Sequence, residues 1–161
     1  MVASAALVLL IASLPLTIGA AWSDMRSMIL SNRMVLATLA VFVLVGPMVL
    51  PFGDYLFRLG VAAVILEVMI GLFALGAVRG GDAKYLTALI PYFAPGDLFQ
   101  AAHLLGVVGL SAFITHRVFA RIPAVRRMTP DWLSWRAKRH FPYGLVLAGS
   151  QIFYLFAKAI Q

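Results

Sequence analysis

The chain has 161 residues, 63% of them hydrophobic and only 12% charged, with a net charge of +7 and no cysteine. Soluble domains carry roughly 25% charged residues, so this composition, with a mean hydropathy of +0.97, excludes a water-soluble globular protein. The absent thiols exclude disulfides, zinc–thiolate and iron–sulfur sites and cysteine nucleophiles; without a nucleic-acid-binding motif, the basic excess reads as membrane orientation.

At roughly 20 apolar residues per crossing, the length suits five or six membrane helices in a single integral-membrane domain, 1–161, with no separate soluble domain. Residues 2–22 form the first apolar run. Its first basic residue, Arg26, follows the run, which fits a first helix with its N-terminus outside better than a secretory signal. A polar stretch holding Asp24, Arg26, Asn32 and Arg33 leads to a second run, 34–50, ended by the turn signal Pro51-Phe52-Gly53-Asp54. The third run, 55–78, has Glu67 near its middle.

The break Arg79-Gly80-Gly81-Asp82-Ala83-Lys84 then precedes a short fourth segment, 85–94, interrupted by Pro91 and closed by Pro95-Gly96-Asp97. A fifth helix over 98–115, a basic loop over 116–140 and a sixth helix over 141–160 complete the chain. Within the loop, Thr129-Pro130 reads as an N-cap and first helical position, with Asp131 serving the helix N-terminus. The short interfacial helix expected there sets Trp132 and Trp135 at headgroup depth and turns its bases toward anionic lipid.

Ten helical residues rise only about 15 Å, half a hydrocarbon core, so the fourth segment has to be kinked or extended if it crosses. Charge decides between crossing and re-entry. With six crossings, the loops after the first, third and fifth helices share one side and hold eleven of the thirteen Lys and Arg residues, leaving Arg58 and Lys158 on the other. Positive charge marks the cytoplasmic side. The expectation is therefore an all-α bundle of about six transmembrane helices, with a short kinked fourth helix and an interfacial helix between the fifth and sixth. It places Asp24 and Asp82 at the same cytoplasmic edge.

Those two are the chemically interesting members of only six acids. Asp54 and Asp97 fall in turns beside glycine and proline. Glu67 is expected to be protonated and hydrogen-bonded between helices, since a charged acid near mid-membrane costs about 2.5–3.5 kcal/mol. For Asp24 and Asp82 two readings stand: interfacial acids paired with a nearby base, Arg26 or Lys84, or a dyad sharing a proton, in which one carboxylate activates water and the other protonates a leaving group. Gly80 and Gly81 would permit unusual backbone angles and close substrate approach beside the dyad. The three histidines are too scattered for a metal motif, and neither metal nor cofactor is expected.

Taken in order, three stretches resemble the type IV prepilin peptidases, membrane aspartic proteases of the GxGD type, and specifically the short branch that serves Tad/Flp pili. Asp24-Met25-Arg26 followed by Asn32 is similar to the family's first-aspartate motif; Gly80-Gly81-Asp82-Ala83-Lys84 is similar to its GxGD-x-K motif; Phe141-Pro142-Tyr143-Gly144 is similar to its last-helix signature. The chain departs from the pattern at Arg79, where the first GxGD glycine stands, and at Leu30-Ser31, in place of Ile-Pro. The resemblance implies that Asp24 and Asp82 are the catalytic pair, supported by Arg26, Asn32, Gly80, Gly81, Lys84, Pro142, Tyr143 and Gly144, with no metal. It further implies a prepilin substrate with a short basic leader, cut at the cytoplasmic face of the bacterial inner membrane, and no methyltransferase activity. The residues alone also admit a small proton-coupled transporter or membrane scaffold using Asp24, Glu67 and Asp82, and an inactive peptidase relative.

Overall fold

The first apolar run forms a helix, α1 (Ala3–Ser27), that continues past the run and carries Asp24 in its last turn. The computed structural model describes residues 1–137 and 140–161; Lys138 and Arg139 of the expected basic loop lie outside the described residues. The other helices are α2 (Asn32–Val49), α3 (Phe52–Ala74), α4 (Gly80–Leu89), α5 (Leu98–Phe119), α6 (Pro123–Met128) and α7 (Tyr143–Ala159), and the described residues include no strand. Four helices are long and apolar enough to cross a membrane: α1, α2, α3, and α5 with the turn before it.

The pair α1 and α7 has the most extensive contact in the molecule. On α1 the buried residues Ala6, Leu9, Leu10, Ser13, Thr17, Ala20 and Asp24 recur every three or four positions, one stripe of a helix. Small residues in this stripe let the backbones approach, the usual basis of helix association where lipid removes the hydrophobic drive. Midway along α7, buried Gln151 donates to Ser13 Oγ at 3.1 Å and accepts from Thr17 Oγ1 at 2.8 Å. Ser13 in turn donates to the Leu9 carbonyl at 2.7 Å, so this polar group is fully tied.

The short fourth segment traverses the bundle by changing form. After α4 come a single 3₁₀ turn, Ile90–Tyr92, in which Pro91 ends the α-helical bonding, then extended Phe93 and a second turn, Pro95–Asp97. Its start lies beside Asp24. Its far end lies at the opposite pole, where buried Arg58 donates to the Pro91 carbonyl at 3.3 Å and the Ala94 N–H donates to Tyr154 Oη at 2.9 Å. The aspartate pole and this pole are about 15 Å apart measured from residue 144 to 154 of α7. At the second pole Asp54 pairs with Arg58 at 2.8 Å, and Asp97 pairs with Lys158 at 3.0 Å and accepts from Tyr154.

Two expectations are corrected. The helix expected from Thr129 lies earlier, at Pro123–Met128, because Pro123 supplies the first-turn position and Thr129 closes the helix: its hydroxyl donates to the Val125 carbonyl at 2.8 Å, and Pro130 prevents continuation. A single 3₁₀ turn, Leu133–Trp135, follows, and Asp131 lies before its N-cap, Trp132, outside its first turn. Glu67 is exposed on α3 and does not lie between helices, because α3 buries only Tyr55, Arg58 and Ala62, all in its first half.

Beyond α6 the chain folds back on α1 through aromatic contacts. Trp132 meets Trp22 edge-on at 5.0 Å and stacks on Trp135, which stacks on buried His116 at 4.7 Å. The Trp135 indole N–H donates to Thr129 Oγ1 at 2.9 Å. This packing carries the chain to Phe141, from which α7 starts against Asp24.

Candidate active site

Asp24 and Asp82 come together from α1 and α4 at one pole of the bundle. Asp24 is fully buried, and its Oδ2 accepts from the Gly144 N–H at 2.6 Å. That donor belongs to the first turn of α7, where the unpaired amides and the helix dipole favour a negative charge. Pro142 is the N-cap and lacks a capping side chain of its own, so a carboxylate from another helix fills that place.

Gly144 is required for this approach. A Cβ at that position would lie 2.8 Å from Asp24 Cβ, 2.9 Å from its Oδ2 and 3.0 Å from Leu30 Cδ2. Buried Leu30, which stands where the resembled motif has isoleucine, wedges between Gly144 and Gly81. Next to it Ser31 caps α2 by accepting from the Met34 N–H at 3.3 Å.

Asp82 occupies the first turn of α4, again at a helix N-terminus. Gly80 and Gly81 precede it in ordinary helical conformation. The left-handed residues are instead Gly76, at φ 72°, ending the α3 region, and Met28, at φ 57°, ending α1. The expectation of unusual backbone angles at Gly80 and Gly81 is thus corrected: the turn is made four residues earlier, leaving the pair free to enter the helix.

The base that faces both acids is Arg79. Its Nη2 lies 3.9 Å from Asp24 Oδ1, its Nε lies 3.6 Å from Asp82 Oδ2, and its Nη2 donates to the Met28 carbonyl at 2.7 Å. The two carboxylate contacts are ion pairs at a distance, beyond hydrogen-bonding range. Asp24 Oδ1 and Asp82 Oδ1 are both buried and have no hydrogen-bond partner among the described residues. Buried carboxyl oxygens are ordinarily paired with protein groups or with ordered water.

Of the other expected site residues, Lys84 is exposed and donates to Asn32 Oδ1 at 3.3 Å, tying α4 to the start of α2. Arg26 is exposed and makes no ion pair among those described. Neither expected partner, Arg26 nor Lys84, therefore neutralises the acids. Tyr143 is exposed and, with Asp82 and Arg79, borders a cleft of about 300 Å³ whose remaining wall is apolar, including Met69, Leu86 and Leu105. A second apolar cleft of about 240 Å³ shares Leu86, Leu105 and Leu147 with it and continues along α4 and α5. Among the described residues no three His, Cys, Asp or Glu side chains are grouped so as to hold a metal ion.

Sequence reasoning missed Met28, Gln151 and the bridging role of Arg79. A long basic residue directly before a helix that carries an acid at its third position was the available signal for Arg79. Compared with family models, with curated proteins and with solved structures, the chain gives no match.

Proposed function

We propose that this chain is a membrane aspartic endopeptidase that removes the short basic leader from type IV, Flp-type prepilins at the cytoplasmic face of the bacterial inner membrane. The observation that carries the reading is the convergence of Asp24 and Asp82 on one guanidinium beside an apolar cleft. In this reading α1, α2, α3, the 80–97 segment, α5 and α7 are six crossings, with the N-terminus outside. The basic residues around α6 lie against anionic headgroups.

An ionised aspartate takes a proton from water as the oxygen attacks the scissile carbonyl, while the protonated partner hydrogen-bonds the carbonyl oxygen. The tetrahedral intermediate collapses when a proton passes to the departing amine. Asp24, fixed by the Gly144 N–H at the α7 terminus, is the better suited to remain ionised; Asp82, at the cleft, is the better suited to carry the proton. The apolar cleft leading from Asp82 suits the hydrophobic helix that follows a prepilin's cut. No methyl transfer is part of this function.

The test is leader removal from a co-expressed Flp-type prepilin, read by gel mobility, with wild type, Asp24→Asn and Asp82→Asn at equal membrane levels. Cleavage by wild type alone supports the peptidase. Processing by none of the three moves the transporter, scaffold or inactive-relative readings ahead.

A further inference from the structure

Arg79 is held in a way that suits departure. It lies outside the helix interior, as the extended N-cap residue of α4 (φ −79°, ψ 142°). Its side chain is 36% exposed, and its one strong contact is the Met28 carbonyl at 2.7 Å, which the left-handed turn ending α1 presents. Toward the two carboxylates it makes only the 3.9 and 3.6 Å contacts.

We propose that Arg79 is a displaceable counter-ion: its guanidinium occupies the gap between Asp24 and Asp82 in the resting protein and withdraws when a peptide carbonyl and water take that gap. This role rests on the peptidase reading above. A dyad needs one proton, whereas a cation within 4 Å of both carboxyls favours two negative charges. Withdrawal leaves two buried like charges facing each other, and the pair then takes up a proton from water. Docking of the substrate thereby creates the protonation state that cleavage requires, and an empty site stays inactive.

The groups around the pair leave Arg79 as the controlling charge. α1 contributes Asp24 and the outward, exposed Arg26; α4 contributes Asp82 and Lys84, the latter bonded to Asn32 of α2; α7 contributes Tyr143. The α3–α4 connection adds no other titratable side chain.

Dicyclohexylcarbodiimide, which adds to protonated carboxyls in apolar surroundings, tests the contact independently of cleavage. Membranes holding wild type, Arg79→Gln or Arg79→Lys are treated across a pH series, and adducts at Asp24 and Asp82 are measured by mass spectrometry. Arg79→Gln is expected to move half-maximal labelling upward by about one to three pH units and to raise labelling at pH 7 several-fold, while Arg79→Lys stays near wild type. Prepilin cleavage by Arg79→Gln is expected to extend to higher pH in parallel. Identical labelling curves in wild type and Arg79→Gln overturn the counter-ion role. Shifted labelling with cleavage at least about tenfold slower at every pH overturns displacement, because the arginine then stabilises the transition state. Shifted labelling with no cleavage by wild type leaves the counter-ion assignment standing and sinks the peptidase reading.

Discussion

The Gly144 N–H donates to Asp24 Oδ2 at 2.6 Å, across a backbone contact so close that a methyl group on Gly144 would stand 2.8 Å from Asp24 Cβ. Both the hydrogen bond and the missing side chain are needed to seat the acid on the α7 terminus. Gly144→Ala forces Asp24 or α7 to move, an overpacking cost of about 1–3 kcal/mol. Misplacing a reacting group by about 1 Å costs on the order of 100-fold in rate. Prepilin cleavage by Gly144→Ala is therefore expected to fall about 100-fold or more while the protein still reaches the membrane. Cleavage near the wild-type rate would show that Asp24 needs no such seat.

Gly81 behaves differently, although it belongs to the stretch that resembles GxGD. The nearest atoms to a Cβ there belong to Leu30, its Cβ at 3.5 Å and its carbonyl oxygen at 3.6 Å, ordinary contacts, and the residue is already helical. Replacing a helical glycine by alanine gains up to about 1 kcal/mol of helix propensity. Gly81→Ala is expected to unfold in detergent at a temperature equal to or above that of wild type. A marked drop would mean the α4 start needs glycine for a reason other than packing.

The contrast between these glycines shows what the chain made legible. Hydrophobic runs and turn signals located α1, α2, α3, α5 and α7 within a few residues, and the positive-inside count put Asp24 and Asp82 on one side. Side-chain convergence was not readable. Asp24 looked like a loop residue but ends a helix, because the alternating stripe of Ser13, Thr17 and Ala20 continues the α1–α7 contact down to it. The fourth segment was expected to be kinked or extended, and the form this takes is a 3₁₀ turn at Pro91, which rises more per residue than an α-helix. Arg79, a departure from the resembled motif, proved to be the base that faces both acids. Long flexible side chains such as arginine leave no periodic signal.

Gln151 separates structure from chemistry. It lies in the α1–α7 interface, joined to Ser13 and Thr17, well along α7 from Asp24. Interhelical hydrogen bonds in membrane proteins contribute about 0.6–2 kcal/mol. Gln151→Leu keeps most of the volume, and Ser13 and Thr17 retain bonds to the carbonyls of Leu9 and Ser13. Stability should fall by about 1 kcal/mol, and cleavage per folded molecule should remain within about twofold. A large cleavage loss in fully folded Gln151→Leu would tie the network to the aspartates.

Glu67 discriminates between the functional classes. A proton path through the membrane would need this acid as much as either aspartate. A peptidase confined to the Asp24–Asp82 pole would not, because Glu67 is exposed on α3 and makes no recorded hydrogen bond or ion pair with the site. Glu67→Gln also lowers the cost of placing an ionisable group within an apolar helix, so its membrane level should equal or exceed wild type. Side-by-side processing assays at matched protein levels are expected to show Glu67→Gln cleaving within about twofold of wild type and Asp82→Asn not at all. If the two variants lose processing alike, a three-carboxylate proton relay explains the acids better than a water-activating pair.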